Sequence, residues 1–238
     1  MVKLAIVGKS PEKIKELKNF FPKYNLTYTE EDPDIVISYG GDGMFLITER
    51  MYPHIPKALL RDSKICNNCS NCTPEEILKK ISQKEYTIKE LIQLKATKID
   101  NNEIQEIIGT NDIVIRNSFP TEALRLKYRI DNQDHSDELI GDGIVIATPF
   151  GSKKGAYYNT ITRNTITNQI GIAFNNITTL CNHQTVDINS TIEITIIRGQ
   201  GVLVADNNRD YINLSKDNKI KIELHNTTAK ILDFNNSI

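Results

Sequence analysis

A chain of 238 residues with 39% hydrophobic and 25% charged residues is ordinary for a water-soluble globular protein of one or two domains. Its net charge of −1 gives no electrostatic reason to expect nucleic acid or an anionic membrane surface as a partner. No apolar run approaches the roughly 20 residues that span a bilayer. The apolar N-terminus is too short for a signal peptide, so we expect a cytoplasmic protein.

The first part of the chain alternates predicted strands and helices. Residues 3–8 and 34–39 are apolar runs of the kind that form buried strands. Pro11 suits the first turn of a helix, with Ser10 before it as the N-cap. Residues 73–83 form a second predicted helix, which starts with a Thr-x-x-Glu capping box. This alternation indicates a parallel sheet covered by helices.

The second part of the chain has a different texture. After residue 94 it consists of short β-rich runs separated by Asn, Asp and Gly turns. No clear helix follows residue 125, apart from a possible turn at residues 152–158. We therefore predict two domains: an α/β domain with a parallel sheet at residues 1–94, and an all-β, sandwich-like domain at residues 95–238.

A glycine-rich turn with one carboxylate, Gly-Gly-Asp-Gly at residues 40–43, directly follows the second predicted strand. Glycines let a backbone approach a ligand closely and direct N–H groups at phosphate oxygens, and ligands of α/β sheets bind at the carboxyl ends of strands. A helix beginning near Phe45 would add the positive end of its dipole. Asp42 could then accept a proton from a hydroxyl or hold a metal bound to phosphates. The alternative is a tight turn in which Asp42 only caps the helix.

Three cysteines, Cys66, Cys69 and Cys72, stand at C-x₂-C-x₂-C spacing, and Cys181 is the only other cysteine. Thiols at this spacing can bind Zn²⁺ or an iron–sulfur cluster, with Cys181 as a candidate fourth ligand. In a cytoplasmic protein a metal or redox role is favoured over structural disulfides. The alternative is reduced thiols without a ligand, in a loop rich in Asn and Ser.

Three motifs together resemble the NAD kinase family, and the resemblance covers nearly the whole chain. "VISYGGDGMFL" is similar to the family's Gly-Gly-Asp-Gly-Thr motif, and "GTNDIVIRN" is similar to its Asn-Asp/Glu motif. "DGIVIATPFGSKKGAYY" is similar to its Asp-Gly…Thr-Pro-Thr-Gly-Ser-Thr-Ala-Tyr segment. Gly-Gly-Asp-Gly alone is shared with the wider superfamily of diacylglycerol and sphingosine kinases. Three motifs in the family's order are far more specific.

The resemblance implies a phosphotransferase that transfers the γ-phosphoryl of ATP, or of polyphosphate, to the adenosine ribose 2′-hydroxyl of NAD and so makes NADP. It implies Mg²⁺ carried with the nucleotide and assembly as a homodimer or homotetramer. Asp42 would be the catalytic base. The residues that would bind NAD or ATP are Gly40, Gly41, Gly43, Met44, Phe45, Asn111, Asp112, Asp142, Thr148, Gly151, Ser152, Ala156 and Tyr157.

Two of these motifs also have simpler structural interpretations. The amide of Asn111 and the carboxylate of Asp112 suit ribose hydroxyls or an adenine edge, but the pair could instead cap a turn at the head of a strand. Asp142 lies in a second Gly-Asp-Gly, and Asp-Gly is also a common β-turn between strands. Both interpretations stay open at the level of the sequence.

Three departures from the family pattern keep other functions open. Met44 replaces a threonine, Lys153 and Lys154 are added in the third motif, and the cysteine segment replaces a strand and a glycine-rich loop that help to shape the NAD pocket. One alternative is a related kinase that phosphorylates a sugar, nucleoside or lipid hydroxyl. Another is a non-catalytic nucleotide-binding protein that uses the cysteines for metal binding or redox control.

Overall fold

The computed structural model describes residues 1–64, 66–100, 103–135, 138–178 and 181–234. The chain divides into two compact units: Met1–Leu91 with Thr228–Ile238, and Ile92–Thr227. The predicted boundary at residues 94 and 95 lies near this division, but the prediction assigned the whole C-terminal segment to the second domain. A strand that returns to the first unit leaves no local signal in the sequence.

The first unit is built on parallel strands joined by helices. In chain order its elements are β1 (Val2–Gly8), α1 (Pro11–Lys18), a 3₁₀ turn (Pro22–Tyr24), β2 (Leu26–Tyr28), β3 (Ile35–Gly40), α2 (Asp42–Met51), β4 (Lys57–Arg61) and α3 (Pro74–Gln83). The strands lie in the order β2-β1-β3-β4, and each neighbouring pair is parallel. This confirms the predicted α/β class, since short crossover helices connect the parallel strands.

The helices of the first unit begin where the sequence predicts. The hydroxyl of Ser10 accepts a hydrogen bond from the amide of Lys13, and the first turn of α1 contains Pro11. The Thr73–Glu76 capping box at the start of α3 is formed in both directions. α3 buries Ile77, Leu78 and Ile81 in the core of this unit.

The second unit is almost entirely β-structure. Its elements, two of which extend into the first unit, are β5 (Thr87–Asp100), β6 (Glu103–Gly109), β7 (Asp112–Asn117), β8 (Leu124–Ile130), β9 (Gln133–Asp134), β10 (Leu139–Gly141), β11 (Gly143–Ala147), α4 (Tyr157–Thr162), β12 (Gln169–Asn175), β13 (Gln184–Asp187), β14 (Ile192–Arg198), β15 (Gly201–Ala205), β16 (Ile212–Leu214) and β17 (Lys219–Asp233). The possible turn predicted at residues 152–158 is therefore followed by a short helix, which the sequence analysis did not anticipate.

Two antiparallel layers enclose the core of the second unit. One layer has the strand order β13-β12-β11-β7-β15-β16, and the other contains β10-β8-β14-β17, with β9 paired to β8. Side chains from both layers share one buried cluster, which includes Ile113 and Ile146 from the first and Leu126 and Ile194 from the second. The predicted sandwich-like domain is confirmed.

The last strand serves both units in turn. The start of β17 pairs antiparallel with β14 in the second unit, with Ile192 opposite Ile222. Its end pairs parallel with β4 in the first unit, with Ile231 opposite Lys57.

No helix in the described parts of the chain combines the length and apolarity needed to cross a membrane.

Candidate active site

The glycine turn lies between the end of β3 and the start of α2. α2 begins at Asp42, with Gly41 as its N-cap, so the predicted start near Phe45 was three residues too late. Gly41 has an extended backbone and makes no side-chain cap. The alternative in which Asp42 caps the helix is therefore wrong: Asp42 is the first residue of the helix, and its side chain bonds elsewhere. Glycine is accepted at an N-cap, so a helix can start without a polar capping side chain.

Met44 and Phe45 are core residues of the first unit. Met44 is 7% exposed and Phe45 is fully buried. A Cβ added to Gly40 would lie only 2.7 Å from the Cβ of Met44, so Gly40 allows α2 to pack closely against β3. Both side chains pack in the interior of the unit, so the side chain that replaces the family's threonine has a packing role.

The carboxylate of Asp42 is bonded to the cysteine loop, residues 66–69. Oδ2 of Asp42 accepts a hydrogen bond of 2.9 Å from the amide of Asn67. Oδ1 accepts bonds of 3.2 Å from the amide of Asn68 and 2.9 Å from its side-chain Nδ2. The sulfur of Cys66 lies 3.4 Å from the same Oδ1. The predicted catalytic base is thus engaged by three N–H donors of one loop.

The structure does not form the predicted metal site. Cys66 and Cys69 are joined by a disulfide, with their Cα atoms 5.5 Å apart, so neither offers a thiolate to a metal. Cys72 and Cys181 are free and pack against apolar clusters, Cys72 in the first unit and Cys181 in the second. Within the described residues, no group of three or more His, Cys, Asp or Glu side chains is arranged to hold a metal. The sequence favoured a metal or redox role over a structural disulfide; the metal role is corrected for this pair, because both sulfurs are used in the disulfide.

In the second unit, Asn111 and Asp112 form a turn around the carboxylate of Asp206. This carboxylate accepts hydrogen bonds from the amides of Thr110, Asn111 and Asp112, at 3.0, 2.6 and 3.2 Å. Asp112 is 4% exposed. Burial, together with the nearby charge of Asp206, raises the pKa of Asp112 to about 8. At neutral pH the Asp112 carboxyl is therefore mainly protonated and can donate a hydrogen bond.

Three predicted binding residues hold a turn against Asn111. The hydroxyl of Thr148 donates to the carbonyl of Thr110 at 2.6 Å and accepts from the amide of Gly151 at 3.0 Å. A Cβ on Gly151 would meet the carbonyl oxygen of Asn111 at 1.9 Å, so only glycine permits this approach. Ser152 is fully buried and bonds to the Pro149 carbonyl and the Ile166 amide. The second and third motifs are thus joined directly.

Two of the remaining predicted residues, Asp142 and Tyr157, bond to side chains at the end of β12. Asp142 connects β10 to β11, and its Oδ2 accepts a bond of 3.2 Å from the side chain of Asn176. The hydroxyl of Tyr157 accepts a bond of 2.9 Å from the side chain of Asn175. Ala156 is the N-cap of α4. Asp142 and Tyr157 keep exposed surface, and they can present polar groups to a ligand.

Sequence reasoning missed two sets of partners. Asp206 was not singled out, although an aspartate directly after the apolar strand β15 is a signal comparable to Asp42 after β3. The donors to Asp42 were also missed. The sequence analysis treated Asn67 and Asn68 only as polar residues of a loop between cysteines. A contact between residues 25 positions apart has no local signature in the sequence.

The fold is that of solved NAD and NADH kinases. An NAD kinase from Archaeoglobus fulgidus in complex with ATP superposes with a TM-score of 0.83 at 18% identity, over 98% of this chain and 94% of that one. A yeast NADH kinase complexed with NADH superposes with a TM-score of 0.85 at 14% identity, over 100% of this chain and 84% of that one.

The chain belongs to the NAD kinase family. It is 31% identical to the NAD kinase of Sulfurisphaera tokodaii over 253 residues, covering 100% of this chain and 97% of that protein. It is 28% identical to the NAD kinase of Pyrococcus furiosus over 145 residues, covering 58% of this chain and 51% of that one. In several such matches the chain spans about half the length of the curated relative. No family model matches the chain.

Proposed function

We propose that the protein is an NAD kinase, which transfers the γ-phosphoryl group of ATP to the adenosine ribose 2′-hydroxyl of NAD and releases NADP and ADP. The observation that carries this proposal is the alignment along the whole chain with an NAD kinase, together with a Gly-Gly-Asp-Gly turn at the carboxyl end of a parallel strand. Polyphosphate is a second candidate donor. The family resemblance also supports a cytoplasmic homodimer or homotetramer.

Asp42 is the residue that we assign to proton transfer. Its carboxylate would take the proton of the 2′-hydroxyl while that oxygen bonds to the γ-phosphorus and the bond to the ADP oxygen breaks. Phosphoryl transfer depends mainly on positioning and on neutralising charge, and glycine turns meet the first need by exposing backbone N–H groups. The start of α2 directs its positive dipole end at the same turn.

Recognition of the dinucleotide falls to the second unit in this proposal. Asn111 offers an amide, and the protonated carboxyl of Asp112 offers a donor near neutral pH. Asp142 and Tyr157 supply an acceptor and a hydroxyl with exposed surface. Thr148, Gly151 and Ser152 keep the turn beside Asn111 in place through buried hydrogen bonds.

The residues present fit a magnesium ion that arrives with the nucleotide. Mg²⁺ in such enzymes is held by phosphates, waters and one or two carboxylates rather than by a cage of protein ligands. Asp42 is the carboxylate at the glycine turn, and it could supply one such ligand. When bound, the ion would supply charge neutralisation on the phosphates.

The direct test is incubation of the reduced protein with ATP, Mg²⁺ and NAD, with NADP measured by an NADP-specific dehydrogenase. We expect NADP to form, and no product with ATP or polyphosphate would refute the proposal.

Asp42→Asn should lower turnover by about 100-fold or more, the usual effect of losing a general base. Its affinity for NAD, measured by calorimetry, should stay close to that of the wild type. Unchanged turnover would remove Asp42 from the mechanism.

One alternative has a specific observation in its favour. The carboxylate of Asp42 already accepts three hydrogen bonds from the cysteine loop, as expected of a nucleotide-binding protein that has given up catalysis. Such a protein would bind NAD or ATP without turnover, whether Cys66 and Cys69 are oxidised or reduced.

A panel of sugar, nucleoside and lipid acceptors tests the related-kinase alternative, because a product with one of them and none with NAD would identify a different acceptor.

A further inference from the structure

The two residues enclosed by the disulfide are the two that bond to Asp42. Asn67 and Asn68 lie between Cys66 and Cys69, and together they donate all three N–H hydrogen bonds described above. The Cys69 sulfur lies 3.7 Å from the carbonyl oxygen of Gly40. The disulfide therefore lies directly against the glycine turn.

In this arrangement little acceptor capacity of Asp42 is left for a substrate. An ionised carboxylate has about four lone-pair positions. Oδ1 uses both of its positions on Asn68, and Oδ2 uses one on Asn67. A disulfide sulfur carries no hydrogen, so the 3.4 Å approach of Cys66 to Oδ1 is a contact that keeps other groups away. A hydroxyl that must give its proton to Asp42 meets a largely occupied base.

We propose that Cys66 and Cys69 form a thiol–disulfide switch that controls access to Asp42. The disulfide form holds the loop on the carboxylate. The dithiol form releases the loop, because the link that keeps both asparagine amides on one side of the turn is gone. The effect on turnover rests on the proposed function, in which Asp42 is the base.

The reductant is a protein or small-molecule dithiol. Its thiolate attacks the sulfur of Cys69, a half-buried residue that lines a cavity of about 180 Å³, whereas Cys66 is only 7% exposed. The bond between the two protein sulfurs breaks, and Cys66 leaves as a thiolate that takes up a proton. The second thiol of the reductant then attacks the mixed disulfide and releases Cys69. Two hydrogen atoms pass to the protein, and the reductant becomes a disulfide.

The other two cysteines provide matched controls. Cys72 and Cys181 are free and pack against the cores of their own units. Cys72→Ser and Cys181→Ser remove a thiol without touching the bonded pair. Cys69→Ser removes the link and leaves the sulfur of Cys66 in place. The three variants separate the disulfide from general effects of thiol chemistry.

The first experiment compares turnover of the full-length protein after treatment with dithiothreitol or with oxidised glutathione, the disulfide being verified by mass spectrometry. We expect the reduced form to turn over at least about tenfold faster, which corresponds to about 1.4 kcal/mol. Cys72→Ser and Cys181→Ser should keep this response. Cys69→Ser should be active and insensitive to the reductant. Equal turnover above zero in both states, or faster turnover after oxidation, would overturn the switch.

The second experiment measures the loop without using activity. Hydrogen–deuterium exchange at Asn67 and Asn68 should be slow in the oxidised protein and faster after reduction, and Asp42→Asn should also speed it in the oxidised protein. Samples are reduced after quenching so that both states give the same peptides. Unchanged exchange refutes the switch even if NADP is made. Changed exchange in a protein that makes no NADP supports the switch and refutes the proposed function.

Discussion

At the scale of single residues, the carboxylate of Asp42 is bonded by two asparagines from a distant loop. Asp42 stands out in the sequence because glycines surround it after an apolar run. The asparagines that bond to it come from a loop whose position depends on β4 and on the start of α3. Propensity and periodicity describe neighbours in sequence, so contacts between distant loops lie outside their reach.

Asp112 should make stability depend on pH. Its pKa is raised to about 8 by burial and by Asp206, whereas an unfolded aspartate has a pKa of about 3.9. The folded state therefore binds the extra proton. The stability that the wild type gains from binding this proton is fully present below pH 4 and is lost as pH rises through about 8. Asp112→Asn, which is always neutral, should gain in melting temperature relative to the wild type from pH 5 to pH 8, with a plateau above.

The same pair offers a test of the cause. Asp206→Asn removes the charge that contributes to the raised pKa of Asp112, so the pH-dependent loss of stability should shift to lower pH. The variant also weakens three hydrogen bonds and should be less stable overall. If the melting temperatures of the wild type and Asp112→Asn changed in parallel from pH 5 to pH 9, this would contradict the protonated state assigned to Asp112.

Met44 should matter for stability through packing. Met44→Thr, which restores the residue typical of the family, removes a side chain that is 7% exposed and buries a hydroxyl. We expect the free energy of unfolding to fall by about 2 kcal/mol in urea denaturation. Met51→Thr is the matched control, since Met51 is in the same helix and 59% exposed, and it should change stability by less than about 0.5 kcal/mol. Equal effects of the two changes would show that Met44 is not a packing residue.

At the scale of elements, the sequence predicted those with strong local signals. α1 and α3 have a serine or threonine N-cap and a proline in the first turn, and both start where expected. α2 has a glycine N-cap without a side-chain bond, and its start was misplaced. α4 has six residues and no capping side chain, so nothing in its sequence distinguished it from a turn. The start of a helix is therefore predictable from the sequence only where a capping side chain or a proline marks it.

The capping box should stabilise α3, because it satisfies backbone N–H groups at the start of that helix. Thr73→Ala loses the hydroxyl that accepts a hydrogen bond from the amide of Glu76, which should cost about 1 kcal/mol in chemical denaturation. Lys79→Ala changes an exposed residue of the same helix and should have an effect below about 0.5 kcal/mol. A loss at Thr73 no larger than that at Lys79 would mean that the box does not stabilise the helix.

At the scale of the whole molecule, the order of strands and helices was enough to predict the two kinds of domain. Alternating strands and helices indicate a parallel sheet, and closely spaced strands indicate an antiparallel one, because crossover length limits how strands can pair. The path of β17 was not predictable in this way. Its sequence is an ordinary β run, and only the completed fold shows that its end pairs with β4.

This return path leads to a prediction about truncation. Leu232 and Phe234 are 5% and 4% exposed, and both belong to the apolar cluster of the first unit. Deletion of residues 228–238 removes both side chains and the partner of β4, and each lost side chain should cost roughly 2–5 kcal/mol. That total is comparable to the whole stability of a typical domain. The first unit should then lose its cooperative unfolding.

Limited proteolysis followed by mass spectrometry is the measurement, because it reports each unit separately. Cleavage after the deletion should concentrate within residues 1–91, while residues 92–227 stay protected. The matched control is deletion of residues 235–238 alone, which leaves Leu232 and Phe234 in place and should give the wild-type pattern. Equal protection of the first unit in both truncated proteins would show that its core does not depend on the returning strand. The longer deletion should also abolish the proposed NADP formation, since Asp42 lies in the unit that this deletion unfolds. The shorter deletion should leave it unchanged.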